Sequence, residues 1–450
     1  MSDIAAPITR RPERPGRATV ATAAASVTRW ACKLAGHAGQ VLPGRVALRI
    51  NPAYLAELSS NRTIALVSGT NGKTTTTAML AAALRPHGPV ASNASGANML
   101  GGLATALLDS HAGRAALEVD EQYLPSAMRE IRPAAVLLLN LSRDQLDRVG
   151  ETRATAQRWR ETVAGSDAAI IANADDPLVC WTAERHPRVT WVAAGRVWGP
   201  DGSICPWCIH PLDTAAGPGT ASGGWRCGHC GATRPDPDWT ITPTEPHGNA
   251  SLRGPHHAAL PLRPALPGAV NLGNAAMAIA AAATLNVPAP QALRAACEID
   301  EVSGRYATAH DDGRTVWLLL AKNPAGWAAT LDLIADRDDP VIISINAAQA
   351  DGHDTSWLYD VPFEQLRARL VIATGARADD VGVRLGYADV PHRTVHAGIR
   401  QVLRELPTGT ITLIGDYTSF RDARTALGAR LTSVPATTPG AVEDTRDHAA

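Results

Sequence analysis

Short apolar runs, each followed by a polar stretch, recur along the first half of the chain. The run at residues 64–67 leads into a glycine-bearing turn, and a helix is predicted over residues 77–84. Residues 134–140 and 168–172 are further apolar runs of strand length, and predicted helices alternate with them. Buried strands that alternate with helices predict a parallel, doubly wound α/β sheet.

The alternation continues in the second half of the chain, so a smaller α/β C-terminal domain is predicted there. Its strands are predicted at 316–320, 341–345, 370–373 and 410–414. The predicted organisation is a disordered tail over 1–18, a central domain over 19–306 with an insertion at 200–240, a C-terminal domain over 307–435 and a disordered tail over 436–450.

Residues 19–40 predict a helix with a face of small residues and the basic residues Arg29 and Lys33. We interpret it as a packing helix. A helix that lies on a membrane surface is the alternative, which the weak separation of apolar and polar positions disfavours.

The turn after the first apolar run has the composition of a phosphate-binding loop. Gly69 and Gly72 let backbone N–H groups approach phosphate oxygens, and the following helix N-terminus adds positive potential. Lys73 is predicted to contact the β- and γ-phosphates, and Thr74 to offer its hydroxyl to Mg²⁺. The general pattern has glycine where Val67 stands. The candidate nucleotide contacts in this loop are Gly69, Thr70, Asn71, Gly72, Lys73, Thr74 and Thr75.

A second strand, predicted over residues 115–121, ends in acidic residues. Carboxylates at the C-terminal edge of a strand beside a phosphate-binding loop are suited to hold Mg²⁺. Glu118 and Glu121, with Thr74, are therefore the predicted magnesium ligands. The polar loop at 92–99 is either a substrate-contacting loop or a plain connection.

Four of the seven cysteines form two close pairs, Cys205 with Cys208 and Cys227 with Cys230, eighteen residues apart. This spacing is typical of a zinc ribbon, and four thiolates make a closed, structural zinc site. The other three cysteines are scattered, which fits a reducing cytoplasm better than a disulfide framework.

Composition excludes several classes of function. The chain has 450 residues, a formal net charge of −1 and no overall basic field for nucleic acid. Its apolar runs are too short to span a bilayer, so no transmembrane segment is predicted. Residues 18–27 are too rich in alanine and threonine for the core of a signal peptide.

The central domain resembles the ATPase domain of Mur ligases, and its loop is similar to the short form of Mur ligases and folylpolyglutamate synthases. The matching pieces are Gly-Thr-Asn-Gly-Lys-Thr at 69–74, Asp-Gln-Leu-Asp-Arg at 144–148, Asn-Ala-Asp-Asp-Pro at 173–177, Asn-Leu-Gly-Asn-Ala-Ala at 271–276 and Ser-Gly-Arg-Tyr at 303–306.

This resemblance implies an ATP site in which Asn271 and Asn274 face the adenine and Arg305 faces the nucleotide. Two positions depart from the family. Many Mur ligases have histidine where Gln145 stands, and a carbamylated lysine where this chain has Arg160, thirteen residues before Asn173. A guanidinium cannot form that carbamate, so the second-metal chemistry of amino-acid-adding ligases is put in doubt.

The whole chain resembles the MurT family, the ligase-like subunits of lipid II isoglutaminyl synthases. The resemblance rests on the ATPase pieces, the four cysteines, Lys-Asn-Pro-Ala-Gly at 322–326 and Ala-Asp-Gly-His-Asp-Thr-Ser-Trp at 350–357. It implies a heterodimer with a glutaminase subunit, GatD. It also implies lipid II or a related muropeptide as substrate, in the cytoplasm or at the inner face of the membrane.

In that family ATP activates the α-carboxylate of D-glutamate in the peptidoglycan stem as an acyl phosphate, and ammonia from the glutaminase gives D-isoglutamine. An aspartate of the C-terminal domain is thought to complete the partner's Cys-His pair, where it would orient the histidine. Asp351 matches best and Asp354 is second. The resemblance thus implies a peptidoglycan-synthesis ligase with ATP, Mg²⁺ and structural Zn²⁺.

Two alternatives remain. One is a Mur or folylpolyglutamate-type amino-acid ligase, against which Arg160 and the ribbon argue. The other is a non-catalytic Mur-fold scaffold, against which the intact Lys73, Thr74 and Glu118 argue.

Overall fold

The computed structural model describes residues 16–37, 39–93, 96–143, 152–195, 202–215, 224–244, 249–255, 257–300, 306–348, 353–428 and 430–431. Several predictions fall outside these ranges. They are the Asp-Gln-Leu-Asp-Arg run at 144–148, Arg305, Asp351, the tail at 436–450 and all but residues 16–18 of the N-terminal tail.

Helices and strands alternate through most of the chain. The helices are α1 (Arg17–Leu34), α2 (Leu42–Ile50), α3 (Tyr54–Ser59), α4 (Lys73–Leu84), α5 (Leu100–Leu108), α6 (Leu124–Ile131), α7 (Thr152–Ala164), α8 (Pro177–Ala183), α9 (Ala269–Thr284), α10 (Ala289–Cys297), α11 (Pro324–Leu333), α12 (Ala378–Tyr387), α13 (Ile399–Arg404) and α14 (Tyr417–Leu427). Short 3₁₀ turns occupy Arg85–His87, Ser356–Asp360 and Phe363–Leu366.

The strands of the first half are β1 (Thr63–Ser68), β2 (Val90–Ser92), β3 (Arg114–Glu118), β4 (Ala135–Leu138), β5 (Ala169–Asn173), β6 (Val189–Ala193), β7 (Asp213–Ala215), β8 (Gly224–Arg226), β9 (Trp239–Pro243), β10 (Ala250–Gly254) and β11 (His257–Leu262). Those of the second half are β12 (Tyr306–Asp311), β13 (Arg314–Leu320), β14 (Val341–Ser344), β15 (Val371–Thr374), β16 (His392–Thr394), β17 (Gly409–Gly415) and β18 (Arg430–Leu431).

The larger sheet has the described strand order β11-β10-β9-β6-β5-β4-β1-β3-β2. From β2 to β9 all pairings are parallel. Strand β1 is buried on both faces, because Ala65 and Val67 pack on one side and Ile64 and Leu66 on the other. A strand covered on both faces needs a continuous apolar run, which explains the pattern in the sequence.

Strands β9, β10 and β11 add an antiparallel extension that the sequence pattern did not predict. Trp239, Ile241 and Leu252 from this extension are buried against one core only. A sheet covered on one face has an alternating rather than a continuous apolar pattern, and its signal is weaker. The predicted doubly wound α/β class is confirmed, with this mixed edge.

The smaller sheet has the described order β16-β15-β14-β17-β13-β12-β18. Strands β13 to β17 pair in parallel, and β12 and β18 add an antiparallel edge. Helices pack on both faces, with Trp327 and Phe363 in one core and Leu403 and Phe420 in the other. The predicted C-terminal α/β fold is confirmed.

The N-terminal helix α1 begins at Arg17 and ends at Leu34, earlier than the predicted residue 40. Ala21 and Ala25 form its buried face and pack with Ala47 and Tyr54. In the described part of the chain, no helix has the length and apolar content needed to cross a membrane.

Candidate nucleotide and zinc sites

The phosphate-binding loop lies at the carboxyl end of β1, between the ends of β3 and β4. Gly72 has a φ of 83° and precedes the first residue of α4; a Cβ there would lie 2.5 Å from Oδ1 of Asn274. Gly69 has a φ of 149°, and its Cβ would lie 2.8 Å from Cβ of Leu139. Both positions therefore require glycine. Helix α4 starts at Lys73, four residues before the predicted start.

Lys73 is buried at the start of α4 and folds back over the loop. Its Nζ donates to the carbonyl oxygens of Gly69 at 2.5 Å and Thr70 at 3.1 Å, and to Oε2 of Glu121 at 3.0 Å. The ammonium is thus held beside the loop by two carbonyls and one carboxylate. A phosphate group in the loop would compete with these acceptors for the same donors.

Glu118 is the last residue of β3 and lies opposite Val67 of β1 in the parallel register. Its Oε2 accepts from the Thr74 hydroxyl at 2.8 Å and its Oε1 accepts from Nδ2 of Asn98 at 3.1 Å. A hydroxyl and a carboxylate in direct contact are a suitable pair of oxygen ligands for Mg²⁺. The carboxylate of Glu121 is paired with Lys73 rather than with Thr74.

The loop at 92–99 positions Glu118. Oδ1 of Asn93 accepts from the backbone N–H of Glu118 at 2.8 Å, and its Nδ2 donates to the Glu118 carbonyl at 2.8 Å. Asn98 from the same loop reaches the carboxylate itself. The loop therefore does more than connect two elements, because its side chains support the predicted metal ligand.

Asn271 and Asn274 lie in the first turns of α9, buried against the phosphate-binding loop. Oδ1 of Asn274 accepts from the Thr76 hydroxyl at 3.2 Å, and its Nδ2 donates to Oδ1 of Asn271 at 3.1 Å. Nδ2 of Asn271 donates to the Pro267 carbonyl at 2.7 Å. The structure thus brings Asn274 against Gly72 of the loop and holds Asn271 beside Asn274.

Three polar residues to which the sequence analysis gave no role at the loop also hold it. Oδ1 of Asn140 accepts from the Asn71 backbone N–H at 2.9 Å, and Nδ2 of Asn140 donates to the Asn71 carbonyl at 3.0 Å. Ser142 accepts from Nδ2 of Asn71 at 3.3 Å. Asn140 could have been found from its place just after β4, the neighbour of β1.

The third such residue, Asn323, lies between β13 of the smaller sheet and α11. Its Nδ2 donates to Oδ1 of Asn71 at 3.2 Å, and its Oδ1 caps α11 by accepting from the Gly326 N–H at 2.8 Å. Arg143 and Asp360 form a further ion pair of 3.1 Å between the two halves of the chain. The phosphate-binding loop therefore lies at the contact between the two sheets.

The four predicted zinc ligands lie together. Sγ of Cys205 is 3.6 Å from that of Cys230, and Sγ of Cys208 is 3.4 Å from that of Cys227. All four sulfurs lie within 4.8 Å of one another. A tetrahedral site with Zn–S bonds of 2.3 Å has sulfur–sulfur edges of about 3.8 Å, so the group fits zinc.

The two cysteine pairs form matching turns. Ile209 donates from its backbone N–H to the Cys205 carbonyl at 2.9 Å, as Gly231 does to the Cys227 carbonyl at 3.0 Å. Both residues have positive φ, 65° at Ile209 and 78° at Gly231. The turns direct backbone N–H groups at the sulfurs, and the N–H of Cys230 lowers the pKa of the Cys227 thiol to about 6. Burial raises the pKa of Cys205 to about 12.

One contact between the ribbon and the central domain is made at Glu184, the partner of Arg160. Nη2 of Arg160 donates to Oε1 of Glu184 at 2.5 Å, and Nε1 of Trp207, between the first two cysteines, donates to Oε2 of Glu184 at 3.0 Å. The Arg160 guanidinium also stacks 4.6 Å from the ring centre of Trp181. Arg160 therefore has a structural partner at the position where the resemblance to Mur ligases leads one to expect a carbamylated lysine.

Asp354 is exposed just before the 3₁₀ turn at Ser356–Asp360. Its Oδ1 accepts from the Ser356 N–H at 2.8 Å and its Oδ2 from the Ser356 hydroxyl at 3.0 Å. Asp354 thus caps the turn, and its exposed carboxylate keeps acceptor capacity for another molecule.

Solved structures with the same fold are Mur-type ligases. A pseudomurein peptide ligase type C from Methanothermus fervidus superposes with a TM-score of 0.66 at 18% identity, covering 82% of this chain and 78% of that one. The Mur ligase middle domain matches residues 67–195, and the MurT ligase C-terminal domain matches residues 320–420. The fold and the loop therefore define a Mur ligase-like protein.

Two relatives match nearly the whole chain. The lipid II isoglutaminyl synthase (glutamine-hydrolyzing) subunit MurT of Streptococcus pneumoniae is 30% identical over 421 residues, which are 87% of this chain and 93% of that protein. Its counterpart from Staphylococcus aureus strain COL is 27% identical over 385 residues, 81% of this chain and 87% of that protein. The chain belongs to the MurT family. This membership confirms the predicted family and the predicted enzyme class, a ligase.

Proposed function

We propose that this chain is the ATP-dependent amidating subunit of a glutamine-hydrolysing ligase. Its substrate is the α-carboxylate of D-glutamate in the peptidoglycan stem of lipid II, and its product is D-isoglutamine. Ammonia comes from a glutaminase partner of the GatD type. The relatives of this chain bear that activity in their names. The observation that carries the proposal for this chain is that Thr74 of the loop contacts Glu118, while the neighbouring Lys73 contacts Glu121.

The proposed reaction has two displacements. A carboxylate oxygen attacks the γ-phosphorus of ATP, and the bond to the β-phosphate oxygen breaks to give an acyl phosphate and ADP. Ammonia then attacks the acyl carbon and loses a proton, and phosphate leaves with the electrons of the C–O bond. Negative charge on the transferring phosphoryl group is stabilised by fixed positive partners in such reactions.

The loop has the residues for this task. The Mur ligase architecture implies ATP and Mg²⁺, and Thr74 and Glu118 would hold the metal, which offsets phosphate charge when bound. Lys73 would exchange its contacts with two loop carbonyls for phosphate oxygens. Glu121 would keep Lys73 charged and in place through this exchange. Asn271 and Asn274 would border the adenine, and Arg305 would face the nucleotide.

The position of the loop supports a reaction between the two domains. Asn323 joins the C-terminal sheet to Asn71 of the loop, so an activated carboxylate formed there lies near both sheets. We propose a central domain over 19–306 and a C-terminal domain over 307–435 that contacts the glutaminase. The start of the smaller sheet at Tyr306 supports this boundary.

The ammonia source requires a residue from this chain in the glutaminase site. We propose Asp351, and as second candidate Asp354, as the carboxylate that orients the partner's histidine. Glutamine hydrolysis on the partner consumes water and yields glutamate and ammonia. The exposure of Asp354 supports access by another chain.

A cytoplasmic location with lipid II presented at the inner membrane face fits this substrate. The described cysteines are all free thiols, and four of them are arranged for zinc. We propose that Zn²⁺ is structural, because four thiolates close the tetrahedral site to any substrate.

The amino-acid ligase is the competing function. The Mur enzymes of that kind use a lysine carbamate where Arg160 stands, and Arg160 is occupied by Glu184 and Trp181. The test is an ATPase assay of the purified chain with its glutaminase partner and lipid II. ADP release that depends on glutamine or ammonia, with mass spectrometry showing conversion of the stem glutamate to its amide, supports the proposal. Release that depends on a free amino acid instead would overturn it.

A further inference from the structure

Helix α1 has two apolar faces, and the fold uses only one. The face with Ala21 and Ala25 is fully buried against Ala47 and Tyr54. The other face carries large apolar side chains that stay exposed among the described residues: Val20 at 57%, Val27 at 65%, Trp30 at 65% and Leu34 at 69%.

These four residues form one stripe. Val20, Val27 and Leu34 are seven residues apart, and Trp30 lies between them on the same side at about 100° per residue. The small alanines of the buried face let α1 lie close to α2. The stripe therefore points away from the protein along the whole length of an 18-residue helix.

Positive charge borders this stripe. On the helical wheel Arg17 lies beyond one edge and Lys33 beyond the other, and both are exposed. In the sequence Arg10, Arg11 and Arg14 come just before the helix. Residues 1–34 contain six lysines and arginines and two acidic residues, although the whole chain has a formal net charge of −1. One of the six, Arg29, is paired with Asp109.

We propose that α1 lies in the plane of a bilayer that contains anionic lipids, with Val20, Val27, Trp30 and Leu34 inserted between headgroups. An apolar stripe with basic residues on both edges suits the boundary of lipid headgroups and acyl chains. Tryptophan prefers the same boundary. Long basic side chains beside the stripe reach the lipid phosphates.

The charge distribution favours a lipid surface over other occupants. In a symmetric pairing of two copies through this stripe, the same basic ends would face each other or lie side by side. An anionic bilayer instead attracts each of them, at about one kilocalorie per mole or fivefold in binding per basic residue near the surface. The inference does not depend on the amidation reaction, because it uses only α1 and the charge beside it.

The first test is co-sedimentation of the full chain with vesicles. We expect binding to vesicles of phosphatidylglycerol and phosphatidylcholine, and at least tenfold weaker binding to phosphatidylcholine alone. Binding to the anionic vesicles should fall, but not vanish, between about 0.05 M and about 0.5 M salt, since salt screens the charges and leaves the apolar insertion. Equal binding to both vesicle types, or none to either, would overturn the proposal.

Paired variants separate the contribution of the apolar stripe from that of the polar positions beside it. Val27→Gln with Leu34→Gln removes apolar surface without changing charge, and binding should fall by at least about tenfold. Thr19→Gln with Ser26→Gln changes two exposed polar positions beside the stripe, removes no large apolar side chain and should leave binding unchanged. Circular dichroism and thermal melting should show that both double variants fold as the parent does. Equal vesicle binding by the two pairs contradicts insertion of the stripe.

Trp30 reports the depth of insertion. Brominated lipids should quench part of the tryptophan emission, and Trp30→Phe should remove that part while it retains binding. The other occupants give distinct results. If Val27→Gln with Leu34→Gln changes the mass of the free chain and the parent does not bind vesicles, the stripe joins two copies. If this variant loses a co-purified glutaminase instead, the stripe is a protein interface. Either result overturns the lipid proposal.

Discussion

Arg160 and Glu184 form an ion pair of 2.5 Å within the central domain, and Trp207 of the ribbon donates to the same carboxylate. The preceding residue, Trp159, donates from Nε1 to the Glu121 carbonyl at 2.8 Å. One turn of α7 therefore contacts both Glu184, which accepts from the ribbon, and Glu121, which pairs with the loop lysine.

We expect Glu184→Gln to destabilise this connection. The Arg160 side chain is buried and would keep its charge without a counter-ion, but Glu184 is 36% exposed, so the loss should be about 1 kcal/mol in the free energy of unfolding. Urea denaturation measures it. Glu161→Gln is the matched control, because Glu161 is exposed on α7, the helix that carries Arg160. An equal effect of both substitutions would show that the ion pair contributes nothing of its own.

Lys73→Ala should abolish ATP-dependent amidation while the chain stays folded. Contacts of a lysine with transferring phosphate contribute about 2–4 kcal/mol in the transition state. Radiolabelled ATP turnover measures this, and Arg253→Ala, on an exposed basic residue of β10, is the control. Because Lys73→Ala leaves Glu121 buried without its partner, the double variant with Glu121→Gln separates lost stability from lost chemistry. Turnover at the parental rate in Lys73→Ala would refute the loop assignment.

Gly72→Ala tests the shape of the loop. The φ of 83° costs an alanine about 1–2 kcal/mol, and its Cβ would meet Oδ1 of Asn274 at 2.5 Å. We expect nucleotide affinity, measured by calorimetry, to fall at least tenfold. Gly386→Ala is the control, because Gly386 lies within α12 with open space around its Cβ position and alanine favours a helix. Unchanged affinity in Gly72→Ala would mean that the turn is not needed in this form.

The sequence predicted the parts of this site that depend on local pattern. Glycine spacing, the following lysine and threonine, and an acid at a strand end identify the loop and Glu118. The sequence could not show that Asn323 contacts Asn71, which lies 252 residues away. That contact depends on how two separately folded sheets meet, and a local pattern carries no information on such packing. The sequence pattern did not predict the antiparallel edge β9–β11, because a sheet that is covered on one face has an alternating and therefore weaker apolar pattern.

The zinc site predicts a metal content. The purified chain should hold about one zinc per molecule, and Cys227→Ser should lose the zinc and unfold at a lower temperature. Plasma emission spectroscopy of freshly purified protein measures the metal. Cys32→Ser is the matched control, since Cys32 lies on α1, far from the ribbon in sequence, and should keep both zinc and stability. A chain that contains no zinc when freshly isolated contradicts the ribbon assignment.

The last prediction distinguishes Asp351 from Asp354. If Asp351 orients a histidine of the glutaminase, Asp351→Asn should lower glutamine hydrolysis by about 10²–10⁴-fold, because the amide keeps the size but loses the charge that supports the imidazolium. Nucleotide binding, which depends on Lys73 in the other domain, should not change. Assays of the assembled complex with glutamine, and separately with free ammonia, measure the two reactions.

Ammonia is the informative substrate because it bypasses the glutaminase. Amidation by Asp351→Asn should recover when ammonia replaces glutamine, whereas a residue of the ligase site would not be rescued. Asp354→Asn is the matched variant on the same loop. Since Oδ1 and Oδ2 of Asp354 both accept from Ser356, its amide should cost stability of the 3₁₀ turn and only a modest part of glutamine hydrolysis. Normal hydrolysis in Asp351→Asn with loss in Asp354→Asn would assign the role to Asp354 instead.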